Sequence, residues 1–192
     1  MANIKFIVDD YKKNYETCRY NLKEKCSGIR DFNILLNIAE TAFPKHWWSY
    51  HGYKNKRKES LNTLNKVILE NQNTLRKCAN FTEFLETLHD FRNLKELADK
   101  EIGPTLLYDL ALVFGMSINS YPEKVYINNT TTELTAKAIL GANYKLKKQN
   151  YYNHICFNIS DFPQDMQVLK AYEIEDFLCI CYSDFINMSI LR

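Results

Sequence analysis

The sequence is poor in glycine and proline, with five and four of them in 192 residues. These residues dominate turns, so their scarcity predicts long elements joined by few loops. No apolar run is long enough to cross a bilayer. The first residues turn acidic at Asp9, before the apolar core of a signal peptide is complete. We therefore expect a cytoplasmic protein without a membrane partner.

Cysteine pairs at metal-binding spacing are also missing. No Cys-x-x-Cys pair occurs in the chain, and its cysteines are scattered. Zinc sites and disulfide frameworks require a more regular spacing. Free buried thiols in a reducing compartment are the simplest interpretation, so we expect no metal and no cofactor. The cysteines are Cys18, Cys26, Cys78, Cys156, Cys179 and Cys181.

The chain has little net charge, since 25 basic residues face 23 acidic ones and leave +2. Nucleic-acid-binding domains usually carry a marked basic excess, so the overall charge alone does not indicate one. Any such function must come from local clustering of basic residues. Apolar residues make up 46% of the chain, which suffices for a buried core.

Apolar residues recur at three- and four-residue spacing through most of the chain, which is typical of amphipathic helices. We predict a mainly α-helical single domain over residues 1–192, helical through 1–141, with a helical hairpin at 90–115. The portion 142–192 is predicted to be irregular or α/β. Any β-structure should consist of short pieces in the C-terminal third, apart from a short extended segment at 125–127.

Helix boundaries are predicted from capping residues. Asp31 should cap one helix, Asn80 or Thr82 should start another, and a hydroxyl of Thr130–Thr132 should cap a helix that ends at Gly141. Other predictions are a helix over 8–26 and a short helix over 163–169. The segment 177–182 fits either a strand or a buried terminal helix, because its apolar run is too short for periodicity to decide.

One candidate binding segment is Pro44–Lys58, which is rich in basic and aromatic residues and contains no acid. Basic groups neutralise phosphates and exposed rings stack on bases, so this composition suits nucleic acid. Its two tryptophans, Trp47 and Trp48, are of a type found more often in the core. The half that we expect to contact a phosphate backbone is called the basic run below. It consists of Lys54, Lys56, Arg57 and Lys58.

A second candidate surface is the corner formed by Ile102, Gly103, Pro104 and Thr105, at the start of an apolar stretch that continues to Phe114. Gly103 can adopt a positive φ or let a phosphate approach the backbone closely. Pro104 suits a first helical turn, whose amide groups favour an anion. One face of the helix should be buried. We expect Ile102, Gly103 and Thr105 to contact nucleic-acid backbone.

The corner and the helix after it resemble the second half of a helix-hairpin-helix, a module of DNA glycosylases that binds nucleic-acid backbone without sequence preference. The resemblance covers about residues 90–140. Glu101 stands where the module has its first glycine, and Thr105 where lyase-type glycosylases carry a catalytic lysine. No aspartate occurs between Asp109 and Asp161, where those enzymes place their catalytic one. The resemblance thus implies binding of DNA or RNA backbone without catalysis.

The second half of the chain also resembles a bacterial protein family of uncharacterised activity. The resemblance rests on the corner, on the segment Val125–Ile127 with the threonines after it, and on the acidic-apolar stretch 173–180. It implies no particular reaction.

Two further groups suggest chemistry. Alternation on a strand would place His154 and Cys156 on one face. A histidine beside a cysteine is the arrangement of enzymes that use the thiol as a nucleophile. Glu173, Glu175 and Asp176 resemble paired carboxylates that hold Mg²⁺ in nucleases, although an acidic first helical turn explains them more simply. Two alternatives to backbone binding therefore stay open. One is a helical scaffold or protein-interaction protein, and the other is a diverged glycosylase- or nuclease-like enzyme. The oligomeric state is open as well.

Overall fold

The structure is a computed structural model that describes residues 4–14, 16–42, 55–97, 100 and 102–189. At 16–20, 42, 55–58 and 186–189 it describes the backbone only. Most of this part of the chain is helical, and the strands found in it are short and lie after residue 124. The predicted fold class, mainly α with short β pieces, is confirmed.

The α-helices account for most of the secondary structure. In the described ranges, none of them is both long enough and apolar enough to span a bilayer. Short 3₁₀ turns occur at Lys95–Leu97, Ile159–Asp161 and Gln164–Met166. The helices are α1 (Ile4–Asn14), α2 (Glu16–Cys26), α3 (Phe32–Ala42), α4 (Asn55–Glu70), α5 (Gln72–Leu75), α6 (Phe81–Arg92), α7 (Pro104–Ser117), α8 (Thr130–Leu140), α9 (Asn143–Lys147), α10 (Ala171–Ile180) and α11 (Tyr182–Ser189).

Two of the predicted helices have a different extent in the structure, and the structure decides between strand and helix for a third segment. The segment 8–26 is two helices, α1 and α2, on either side of residue 15, which lies outside the described residues. The short helix predicted over 163–169 is a 3₁₀ turn of three residues. The segment 177–182 belongs to helix α10 up to Ile180, so the helical alternative is the right one.

The chain forms two compact units. The central unit contains the described residues from Leu22 to Tyr121. The terminal unit contains the described residues before and after that stretch.

The core of the central unit is built around helix α7. Every residue from Leu107 to Ser117 is buried, so the expectation of one buried face is wrong. A helix that is apolar on all sides must be covered on all sides, which makes it the centre of a bundle. Helices α3 and α6 pack against it. The Phe114 ring contacts Phe32 and Phe84 edge-on, at centroid distances of 5.0 and 5.8 Å.

The terminal unit combines helices with one antiparallel sheet of order β1-β3-β2. Its strands are β1 (Val125–Ile127), β2 (Gln149–Tyr151) and β3 (His154–Phe157). Successive side chains on a strand point to opposite faces. Val125, Ile127 and Phe157 therefore share one face, which belongs to a hydrophobic core with residues of α1, α8 and α10. Tyr126 and Cys156, which are register partners, lie on the other face.

Polar side chains start helices where the sequence predicts them. Asp31 Oδ1 accepts a hydrogen bond of 2.8 Å from the Asn33 amide at the start of α3. Asn80 Oδ1 accepts one of 3.0 Å from the Glu83 amide at the start of α6, so Asn80 rather than Thr82 is the cap. Each bond satisfies an amide that the helix itself leaves unpaired.

Helix α8 begins one position earlier than a threonine cap implies. Asn129 caps it, with Oδ1 accepting a 2.9 Å hydrogen bond from the Thr132 amide, while the Thr132 hydroxyl accepts one of 3.3 Å from the Asn129 amide. Asparagine is at least as good a cap as threonine, so the extended Asn129 takes that position. The helix ends at Gly141, whose φ of +55° suits glycine, as predicted.

Candidate nucleic-acid interface

The corner at the start of α7 has an extended backbone. Gly103 is the N-cap residue, with φ −80° and ψ 159°, and Pro104 is in the first helical turn as expected. The first alternative for Gly103, a positive φ, is therefore wrong. A Cβ built on Gly103 would meet no described atom within 4 Å. No described residue therefore obstructs the close approach of a phosphate to this backbone.

The start of α7 has the features of an anion site. The amides of a first helical turn have no intrahelical acceptor, and the helix dipole favours a negative charge there. Gly103 has no side chain with which to cap them. Gly103 and Thr105 are half-buried. Ile102 is only 1% exposed, so its side chain packs in the core. Its contact with nucleic acid would therefore be made by its backbone.

The corner is the last part of a longer connection. Helices α6 and α7 pack against each other, with the Phe81 and Tyr108 rings edge-on at 5.6 Å. They are joined by the eleven residues 93–103, which include the 3₁₀ turn Lys95–Leu97. Connections between packed helices usually take two to eight residues. The hairpin predicted over 90–115 is therefore a pair of packed helices with a longer connection than usual. Glu101, in this connection, lies outside the described residues.

The basic run lies at the start of helix α4. Lys54, like the rest of 43–54, is outside the described residues. Lys56, Arg57 and Lys58 lie in the first turn of α4 and not in a loop, and only their backbone is described. Three positive charges at the positive end of a helix dipole oppose helix stability and concentrate positive potential there. That potential attracts phosphate.

An ion pair connects the helix that carries the basic run to the segment that precedes the corner. Lys100 Nζ lies 2.5 Å from Glu59 Oε1, with the lysine side chain 26% exposed and the glutamate 73% exposed. The hydrogen bond from Lys100 lowers the pKa of Glu59. Helix α4 also packs against the 3₁₀ turn at Lys95–Leu97. Residue 59, next to the basic run, is thus placed beside residue 100, two positions before Ile102.

Nothing in the sequence indicates Lys100 or Glu59 as part of this surface. They are 41 positions apart, and each is an ordinary charged residue in its own segment. No local periodicity or capping pattern relates residues at such a separation. The two candidate segments were each visible in the sequence, whereas the ion pair between their sequence neighbours Glu59 and Lys100 appears only in the folded chain.

The possible thiol site at His154 and Cys156 does not have the properties of a nucleophile. Both residues are on strand β3, as predicted, and both are buried. Burial raises the pKa of the Cys156 thiol, against a smaller lowering by Lys124. A nucleophilic cysteine needs the opposite shift, since the thiolate is the reactive form. The His154 ring instead forms a 2.9 Å hydrogen bond between Nδ1 and Asn128 Oδ1.

The acidic residues of 173–176 occupy the first turns of helix α10, as the simpler interpretation predicts. Glu173 Oε2 accepts a 2.8 Å hydrogen bond from the Lys170 amide, and Asp176 Oδ2 accepts one of 2.9 Å from the Tyr11 hydroxyl. These two carboxylates therefore serve a helix start and a contact between helices. Among the described residues, no group of three or more His, Cys, Asp or Glu side chains is placed to hold a metal.

Comparisons of the chain with protein families, with curated proteins and with solved structures found no match. The corner, the basic run and the Lys100–Glu59 ion pair beside them are the features of the structure that bear on function.

Proposed function

We propose that the chain binds the sugar-phosphate backbone of DNA or RNA, without sequence preference and without catalysis. The binding surface consists of the basic run, Lys100 and the corner at Ile102–Thr105. The observation that carries the proposal is the Lys100–Glu59 ion pair, which joins the basic start of α4 to the segment that leads into α7.

Two helix starts supply the attraction for phosphate in this proposal. At α7, main-chain amides and an open approach at Gly103 accept an anion. At α4, Lys56, Arg57 and Lys58 add formal positive charge to the same end of the helix dipole. Contacts of this kind position a protein on the backbone and carry no base information, so binding is indifferent to sequence. We also retain the prediction of a cytoplasmic location.

Salt dependence is the sharpest test, because each phosphate neutralised by a basic group releases condensed counterions. Fluorescence anisotropy should show similar affinity for two short duplexes of unrelated sequence. The affinity should fall steeply between about 50 and 200 mM salt. If Lys56, Arg57 and Lys58 each contact one phosphate, replacing all three by Ala reduces the slope of log K against log salt by about 2.7.

A matched control uses three other exposed lysines of the central unit. Lys25, Lys66 and Lys77 are exposed, and their replacement by Ala changes the net charge by the same amount. The control should keep most of the affinity and of the salt slope. Equal losses in the two triple variants would indicate a diffuse charge effect and contradict the proposed surface. Absence of duplex binding by the wild-type protein at low salt would favour the helical scaffold.

A further inference from the structure

A β-hairpin of the terminal unit holds a tyrosine at its tip in an unfavourable backbone conformation. Tyr151 of β2 pairs with His154 of β3, so the turn consists of Tyr152 and Asn153. Tyr152 has a φ of +50°. Two-residue hairpin turns favour glycine or asparagine at positive φ, and a bulky residue there is strained. Such strain is typical of functional positions, where the side chain matters more than the backbone preference.

The Tyr152 ring is the outer end of a row of four contacting rings, called the aromatic row below. Tyr152 contacts Tyr151 at a centroid distance of 5.2 Å, Tyr151 contacts Tyr126 at 6.5 Å, and Tyr126 contacts His154 at 5.5 Å. The inner end is held by the hydrogen bond from His154 to Asn128. Tyr126 and His154 are buried, Tyr151 is half-buried, and Tyr152 is 51% exposed. The exposed Tyr152 ring therefore packs on the half-buried Tyr151 ring, which in turn packs on the buried Tyr126 ring.

The chain leading into this hairpin is basic. Lys145, Lys147 and Lys148 are exposed, and Lys148 directly precedes strand β2. No acidic residue occurs between Glu133 and Asp161. Among the described residues, Lys147 Nζ forms an ion pair with Asp161 Oδ1 at 4.0 Å. At the rise of an extended strand, Lys148 and Tyr152 are about 13 Å apart along the chain.

We infer that the hairpin tip binds single-stranded nucleic acid, with a base stacked on Tyr152 and phosphates held by Lys145, Lys147 and Lys148. Every base has an aromatic face, so stacking tolerates any sequence. In a duplex that face is covered by neighbouring bases, and an unpaired strand leaves it accessible. The packing of Tyr152 on Tyr151 reduces the conformational freedom lost on stacking. This site lies in the terminal unit and does not rest on the function proposed for the corner.

The test compares oligomers that share a backbone charge and differ in whether they carry bases. The probes are oligothymidylate, oligouridylate and an abasic phosphodiester, each of about 12 nucleotides. Wild-type protein should bind the base-bearing strands about 5- to 150-fold more tightly for each stacked base. Tighter binding of either oligothymidylate or oligouridylate than of the abasic oligomer supports the site. Comparing the two base-bearing oligomers shows whether DNA or RNA is preferred.

Variants separate stacking from charge and from folding. Tyr152→Asn should remove most of the preference for bases, since asparagine accepts the positive φ but offers no ring. Tyr152→Phe should keep the preference, and so should Phe6→Ala, which removes an exposed ring elsewhere in the same unit. Replacing Lys145, Lys147 and Lys148 by Ala should weaken binding of all three oligomers by similar factors, with the preference intact.

Two results would overturn the inference. One is equal binding of the abasic and base-bearing oligomers by the wild-type protein. The other is an unchanged preference in Tyr152→Asn that retains the wild-type circular dichroism spectrum. The triple replacement of Lys56, Arg57 and Lys58 should leave the preference for bases unchanged. If the wild-type protein does not bind duplex at low salt but still prefers base-bearing strands, the corner alone is contradicted. If it binds duplex but shows no preference for bases, the hairpin alone is contradicted.

Discussion

The hydroxyl of Tyr11 donates a 2.9 Å hydrogen bond to the Asp176 carboxylate, and both side chains are buried in the terminal unit. The two residues are 165 positions apart, on helices α1 and α10. The Tyr11 ring also contacts Phe177 edge-on at 5.5 Å. This pair therefore joins the first helix of the described chain to one of its last.

Removal of the Tyr11 hydroxyl should destabilise the protein. Tyr11→Phe keeps the ring contact with Phe177 but deprives a buried carboxylate of a donor, and loss of a hydrogen bond to a charged group costs about 1.5–3 kcal/mol. Urea denaturation should show this decrease in the free energy of unfolding. In the background of Asp176→Asn the same change should cost less, because the acceptor is no longer charged. An unchanged urea midpoint in Tyr11→Phe would contradict the role of the pair.

Replacement of Gly103 should affect binding without affecting folding. Its extended backbone suits an L-residue and a Cβ there meets no described atom, but glycine is preferred over alanine at an N-cap. Gly103→Ala should therefore change stability by no more than about 1 kcal/mol in either direction. The added methyl group occupies the space that a phosphate would use, so affinity for duplex DNA should fall several-fold.

A second glycine of the central unit provides the control for Gly103. Gly28 has a φ of +76°, so Gly28→Ala should destabilise the protein by about 1 kcal/mol or more. Its affinity for DNA should be unchanged at temperatures where it stays folded. Equal destabilisation in the two variants would show that the corner requires glycine for folding.

Replacement of Tyr152 should be nearly neutral for stability. Tyr152→Asn relieves a left-handed conformation that costs about 1–2 kcal/mol in most L-residues, and it loses ring contacts worth about 0.5–1.5 kcal/mol. The two terms nearly offset each other, so the melting temperature should change by only a few degrees. A large drop in melting temperature would show that the ring serves the fold and not a ligand.

Three buried thiols should react slowly in the native protein. Cys26, Cys156 and Cys181 are buried, and burial raises the pKa of each. The thiolate is the reactive form, and a rise from 9.0 to about 11 at Cys26 reduces its population below pH 9 about 100-fold. Native protein treated with a thiol-specific reagent should leave these three unmodified. Titration of the denatured protein without reductant should detect all six cysteine thiols. Detection of four or fewer would contradict the prediction that the cysteines are free.

The same shifts predict a loss of stability at alkaline pH. Burial raises the pKa of Cys26 from 9.0 to about 11 and that of Cys181 to about 12. Below pH 9 the thiols are neutral in both the native and the unfolded state, so their contribution to stability is fully present. It is lost as pH rises from 9 through 11 and 12, because the unfolded chain ionises first.

Urea denaturation between pH 8 and pH 11 checks this prediction. The double variant Cys26→Ala, Cys181→Ala should show a shallower decline in the free energy of unfolding than the wild type. Some decline should persist in the variant, because burial also raises the pKa of Tyr144. An identical decline in the two proteins would contradict the assignment to the thiols.

Much of the secondary structure was predictable because its determinants are local. Asp31 and Asn80 cap helices through amides two or three residues away, and Gly141 ends α8 with its own positive φ. The helical periodicity indicated the mainly α class for the same reason. Where two local interpretations were equally good, as over 177–182, packing against the rest of the terminal unit selected the helix.

The sequence by itself determined the fold class, the helix boundaries at Asp31, Asn80, Pro104 and Gly141, the strand at 125–127 and the two segments of the candidate surface. Each of these depends on neighbours within about one helical turn. Only the tertiary structure placed Glu59 beside Lys100, buried α7 on every side and aligned Tyr152 with Tyr151, Tyr126 and His154. These arrangements depend on contacts between residues far apart in the chain, and such contacts are decided by the packing of whole elements.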